Sequence, residues 1–426
     1  MAHCLASTYQ PRPLTEPARL QRHYELDSTL GQVSLPLFHG VEGQPPRPDW
    51  LAEIFEWVSG AHELSASHRD SVGRVPYSGT LHGTHQLNPA LPYASIAMAG
   101  LNSELRPVLK EQWSKHPLPP WRTGHSFALA PSHDIDFLPI SSGQAFHRLA
   151  KNCLISIAFW RNPRLALQIC GAILRRATGD RSPSWTLSPM LARELSLGIR
   201  SSSNFIVRRA HRRDANYCTA DPEFERSVIA VRDAQGEVGL HGSYTSLLEV
   251  KDGLSAEYET LRAFQVPVRG GRQHWLRYSD GQSLIEALSH AGAVYDSTFG
   301  FADQVGFRHG AAFPFPPYDF ASESAFPLLE LPMVLMDVSL ASLDSPARSA
   351  YERASEIIQT SRKYGWGGVS VLWHDTVFGG GQLPHEIAEV FWKLKQPEDL
   401  WIPCIEVVEQ VWERYHLAGL VPARDW

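Results

Sequence analysis

From Phe127 onward, apolar runs of strand length alternate with stretches of helical period. The strand-like runs are 126–133, 203–208, 237–242, 266–269, 293–297, 328–336 and 368–373. Helical spacing falls at 222–233, 256–265, 282–291 and 346–363, and 385–395 follows the last strand. This alternation predicts a mostly parallel sheet wrapped by helices. Residues 1–120 read differently. Their apolar stretches are broken by Pro and Gly, as in Pro45-Pro46-Arg47-Pro48, and helical periodicity appears only over 50–58 and around 96–109. Pro117-Leu118-Pro119-Pro120 reads as a linker. The expected organisation is an N-terminal accessory domain, 1–120, and a larger α/β domain, 121–426, with a helical insertion at about 140–200.

The polar positions choose between an open sheet and a barrel. Asp134 and Asp136, His241, Arg272 and His274, Asp296, and His374 each fall at or just past the C-terminal end of a different expected strand. Side chains contributed to one rim by many strand ends point to a TIM-like (β/α) barrel. An open sheet would gather them near a single switch point.

Asp134 and Asp136 form the pair richest in chemistry. Two carboxylates so close resist joint ionisation unless a cation sits beside them, and hard oxygen ligands suit a divalent metal. One could then hold metal while the other takes a proton from bound water. The plain alternative is a solvated Asp-x-Asp loop capping the next element. His241 is aimed at the rim as a possible ligand, or caps a turn. Arg272 can orient a carboxylate through its planar fork. Trp275 offers a flat face for a sugar ring, or is a core tryptophan. His374 can protonate a leaving group. The glycine-flanked loop 300–310 reads as a substrate loop in which Arg308 binds a sugar carboxylate or phosphate, or else forms an ion pair.

Composition narrows the function classes. The 426 residues are 43% hydrophobic and 20% charged, with net charge −6, ordinary for a globular protein and against a nucleic-acid surface. Five scattered cysteines without a Cys-x-x-Cys pair speak against a thiolate zinc site and for a reducing compartment. The N-terminus lacks a basic region followed by an apolar core, and the best apolar stretch, Cys153 to Trp160, is too short to span a bilayer. A cytoplasmic location is expected. The basic, amphipathic segment 147–176 reads as a helical insertion with a solvated face, or else as a face for a membrane surface or an acidic partner. Oligomeric state is not legible.

The ordered set Ser-His-Asp-Ile-Asp (132–136), Gly-Leu-His-Gly-Ser-Tyr (239–244), Arg-Gln-His-Trp (272–275), Tyr-Asp-Ser-Thr (295–298) and Leu-Trp-His-Asp (372–375) resembles the five motifs of the polysaccharide deacetylase superfamily, over about residues 125–415. The resemblance is to a bacterial subgroup whose first motif is Ser-His-Asp-x-Asp and which carries an N-terminal accessory region. It implies a distorted, incomplete TIM-like barrel and a metal-dependent hydrolase that removes N-acetyl groups from a sugar or glycan. Carried over residue by residue, it implies Asp134 as general base, Asp136 and His241 as metal ligands, Arg272 orienting the base, Asp296 as the fourth-motif carboxylate and His374 as general acid. Tyr244, Trp275 and Arg308 are the expected substrate contacts. Zinc is the expected metal, with cobalt, nickel or manganese as substitutes.

One position departs from the family. Its His-x-x-x-His motif places a second histidine where this chain has Thr245. His274 can supply the missing imidazole, Thr245 or water can fill the place, or the site has lost its metal and the protein is a carbohydrate-binding relic. Among enzymes, a related barrel amidohydrolase acting on a non-sugar amide is the competing expectation.

Overall fold

The computed structural model describes residues 19–28, 31–41, 47–105, 121–138, 187–248, 252–343, 348–365, 367–379 and 383–417, with scattered positions at 107, 147–174 and 419. The proline linker and most of the expected insertion therefore lie outside the described residues.

The main sheet runs, by hydrogen-bonded neighbour, through Leu329–Glu330, Tyr295–Asp296, Gly270–Gln273, Glu237–Gly242, Ser202–Phe205, Ala128–Ile135, Gly367–Leu372 and Met333–Met336. All these pairings are parallel. The first and last members are two halves of one chain run. Leu331 N–H donates to Asp296 O on one side, and Pro332 O accepts from Ser370 N–H on the other, both at 2.8 Å. Both edges of the sheet are thus supplied by a single interrupted strand. The sheet curls into an incomplete, distorted TIM-like barrel, as expected.

Several boundaries differ from the sequence reading. The first strand is Ala128–Ile135 rather than 126–133, with Pro131 inside it. Phe127 O and Leu129 O accept from Leu400 and Ile402, 3.1 Å each, so Pro131 turns its nitrogen to that same side. There Leu400–Trp401 stops, pairing no further than Leu129, and Ser202–Phe205 begins opposite Ser132. The missing donor faces a seam, where a strand tolerates proline. The fourth barrel strand is Gly270–Gln273 rather than 266–269. A Cβ at Gly271 would stand 1.9 Å from Leu240 O, so the glycine is needed for two backbones to approach rather than to break the strand.

Helices cover the barrel. Ala350–Tyr364 starts at a capping box of Ser349 and Glu352, and buries Ala354, Ile357, Ile358 and Ser361 at helical spacing; such a cap contributes about 1 kcal/mol. Pro222–Asp233 opens on proline, whose absent N–H would be unpaired there anyway. Cys404–Leu417, not anticipated from sequence, packs Val407, Val408 and Val411 against Ala128 and Ala130.

The N-terminal residues have a core of their own around Leu35, Phe38, Trp50, Trp57 and Ile96, and they touch the rim of the barrel. Arg308 Nη2 lies 2.7 Å from Glu63 Oε2, Arg277 Nε donates to Val72 O at 3.1 Å, and Arg74 Nη1 donates to Trp275 O at 2.6 Å. Among the described residues no helix is long and apolar enough to cross a membrane.

Candidate metal and acid–base site

Three strand ends bring the three expected ligands together at the rim. One donor atom each from Asp136, His241 and His274 lies within 4.8 Å of the others. His241 Nε2 and His274 Nε2 are each 3.5 Å from Asp136 Oδ1. That oxygen is buried and has no hydrogen-bond partner among the described residues, a costly state unless something else completes it. His241 Nδ1 lies 3.1 Å from Arg272 O. Only an N–H can donate to a carbonyl, so the Nε2 lone pair is left for a metal. Burial pushes His241 down to about 4 despite its carboxylate neighbours, which keeps the ring neutral. One carboxylate and two imidazoles with an open side fit a divalent cation of the zinc type.

Thr245 is buried, and its hydroxyl has no partner among the described residues. The second imidazole beside Asp136 comes from the end of the next strand, as His274.

Asp134 is buried beside this group. Asn204 Nδ2 donates to its Oδ1 at 2.9 Å, Arg272 Nη1 stands 3.4 Å from the same oxygen, and His241 Nε2 is 3.4 Å from Oδ2. Burial alone would raise its pKa, but the neighbouring cations, Arg272 and His374, outweigh that and hold it below the usual carboxylate range. Arg272 is itself locked inside the barrel by Ser132 Oγ at 2.8 Å, Ser297 Oγ at 3.2 Å and Ser370 Oγ at 3.3 Å.

On the opposite side of Asp136, His374 Nε2 lies 3.7 Å from Oδ2. Burial disfavours a charge on His374, yet Asp337, then Asp136 and Asp134, raise it to about 10. The carboxylate against this imidazole is Asp337, at 2.9 Å from Nδ1. Asp296, the expected fourth-motif carboxylate, is engaged elsewhere. Its oxygens accept from Thr298 N–H at 3.0 Å and Thr298 Oγ at 2.6 Å, and burial pushes it up to about 6.

The substrate contacts divide. Trp275 is 42% exposed at the rim, with the Arg213 guanidinium 5.1 Å from its ring centre. Tyr244 is buried and stacked on His211, 4.5 Å between ring centres. Arg308 is buried and spent. It forms a two-pronged pair with Glu63 at 2.9 and 2.7 Å and donates to Gly300 O and Val75 O, so it clamps the N-terminal residues to the barrel.

Three residues escaped the sequence reading. Asp337 stands one position past an expected strand, the same signal that singled out Asp296 and His374. Asn204 lies within a strand and Asp214 in a loop, and neither carries a distinguishing spacing.

No family model matches the chain and no curated protein matches it. Among solved structures, one described as a polysaccharide deacetylase from Mycobacterium smegmatis is 16% identical with TM-score 0.42, covering 73% of this chain and 99% of its own. PuuE allantoinase is 11% identical with TM-score 0.43, covering 72% and 95%. A structure described as a polysaccharide deacetylase from Pseudomonas aeruginosa PAO1 is 10% identical with TM-score 0.43, covering 72% and 96%. At these levels the likeness carries nothing about chemistry, which rests on the residues above.

Proposed function

We propose that this chain is a divalent-metal-dependent hydrolase that removes an N-acetyl group from a sugar or glycan, acting on a cytoplasmic precursor of a surface polysaccharide. The reading rests on one observation. The Asp136, His241 and His274 group is flanked by a carboxylate held ionised, Asp134, and an imidazole held protonated, His374. A base and an acid on either side of an electrophile's position are what amide hydrolysis requires.

Asp136, His241 and His274 would hold the metal, zinc by donor type. When bound it supplies Lewis acidity and a lowered pKa for water. Asp134 takes the proton of the attacking water. Its Oδ1 is occupied by Asn204 and Arg272, so Oδ2 is the oxygen left to act. His374 delivers a proton from Nε2 to the departing amine, while Asp337 holds Nδ1 and keeps the ring charged. Trp275 offers its exposed face to the sugar ring, and Tyr244 packs beneath the rim.

The test is acetate release from N-acetylated chito-oligosaccharides by purified protein, with metal content measured on the same sample. A near-stoichiometric metal and acetate release that Asp134→Asn abolishes, with metal retained, support the reading. Protein that takes up no metal overturns it in favour of a carbohydrate-binding protein.

A further inference from the structure

We propose that the loop after the second barrel strand is a subsite for an oxyanion, a phosphate or carboxylate carried by the N-acetylated sugar; this rests on the hydrolase reading for what enters the site. The chain's net charge is −6, yet Arg208, Arg209, Arg212 and Arg213 fall within six residues, with His211 among them. A run of charge is usually only a solvated face, but this one is anchored to the chemistry. Asp214 Oδ2 accepts from Ala210 N–H at 2.9 Å and His211 N–H at 2.7 Å. Its Oδ1 accepts from Tyr244 N–H at 2.8 Å and stands 3.9 Å from His274 Nδ1. One carboxylate therefore fixes the basic loop against a candidate metal ligand.

Arg213 is wedged rather than splayed. Its guanidinium lies 5.0 Å from the Tyr244 ring centre and 5.1 Å from that of Trp275, and it donates to the Tyr244 hydroxyl. Arg209 and Arg212 are exposed, Arg209 giving one nitrogen to Asn216 O at 3.2 Å. The acids near this loop are engaged. Asp214 is spent on backbone N–H groups, Asp70 is paired with Arg74 at 2.7 Å, and Glu257 accepts from Ser243 N–H at 2.9 Å. The Arg213 fork beside the exposed Trp275 face, with Arg209 and Arg212 exposed on the same loop, matches a sugar bearing a planar or tetrahedral oxyanion.

The test is calorimetric binding to zinc-loaded, full-length Asp134→Asn protein, in which turnover is blocked. N-acetylglucosamine 1-phosphate, N-acetylmuramic acid and N-acetylglucosamine are compared, and the winner between the first two distinguishes phosphate from carboxylate. At least one anionic sugar should bind about tenfold more tightly than the neutral one. That preference should shrink with added salt and fall to about twofold in the surface double variant Arg209→Gln/Arg212→Gln. Absence of any preference, or a preference the double variant keeps in full, overturns the subsite. The two readings fail separately. Acetate release by the unsubstituted protein without anion preference removes only the subsite. Anion preference without acetate release from any of the three sugars removes only the hydrolase.

Discussion

His374 Nδ1 lies 2.9 Å from Asp337 Oδ1, and the His374 backbone N–H donates to Oδ2 of the same carboxylate at 2.8 Å. The pair follows from strand register. Met336 is paired with Leu372 in adjacent parallel strands, so Asp337, one residue past its strand, and His374, two past its own, leave the sheet close together at the rim.

Replacing Asp337 by Asn should lower the His374 pKa from about 10, because the negative charge that most strongly opposes burial is removed. A proton donor is lost as pH rises through its pKa, so the alkaline limb of activity should move to lower pH. Titration of the His374 ring by NMR in metal-free protein checks the shift directly. An unmoved pKa would show that Asp337 only packs.

Metal content should separate the two aspartates. Asp136→Ala, His241→Ala and His274→Ala should each lose bound zinc, whereas Asp134→Asn should keep it and lose turnover. Full zinc occupancy in His274→Ala, measured by atomic absorption after dialysis, would remove His274 from the ligand set.

Arg74 should support the metal site from a distance. Trp275 and Leu276, directly after His274, hold φ of 64° and 50° without being glycine, and Arg74 grips the Trp275 carbonyl at 2.6 Å. Such backbone persists only where its surroundings over-determine it. Arg74→Ala should weaken zinc binding by about tenfold, as removal of a ligand-orienting partner does. Competition with a chromogenic chelator measures it, and Arg74→Lys should restore part of the loss.

Glu63→Gln leaves Arg308 buried without its counter-charge and should cost about 3–5 kcal/mol in urea unfolding. Sugar affinity is the discriminating readout for Arg308. If Arg308→Lys, in protein that remains folded, changed selectivity among sugars, its assignment as a clamp would be wrong.

Burial raises Asp296 from 3.8 to about 6, and burial together with the Asp296 charge raises Glu330 well above 4.5. The folded state therefore binds protons more tightly than the unfolded chain. The stabilisation from this pair is complete below the unfolded values and falls as pH rises through the folded ones. Glu330→Gln should flatten that slope between pH 4 and about 6. A wild-type slope retained in the variant, followed by thermal unfolding across that range, would place the proton elsewhere.

The period-2 and period-3.6 patterns in Val369–Leu372 or Ala350–Tyr364 declare a buried strand and its covering helix locally, because each element must hide its own apolar positions. The rim acids and bases were legible for the same reason, since a polar residue ending an apolar strand has nowhere to go but the barrel mouth. Asp337 obeyed that rule and was overlooked; Asn204 and Asp214 gave no local signal. What hydrophobic patterning could not decide was pairing between distant segments. That Asp337 meets His374, that His274 lies with Asp136 and His241, and that Arg308 turns to Glu63 instead of the site depend on strand register and on where the N-terminal residues dock. Those contacts join positions far apart in the chain, and only the curled arrangement of the sheet brings them within reach.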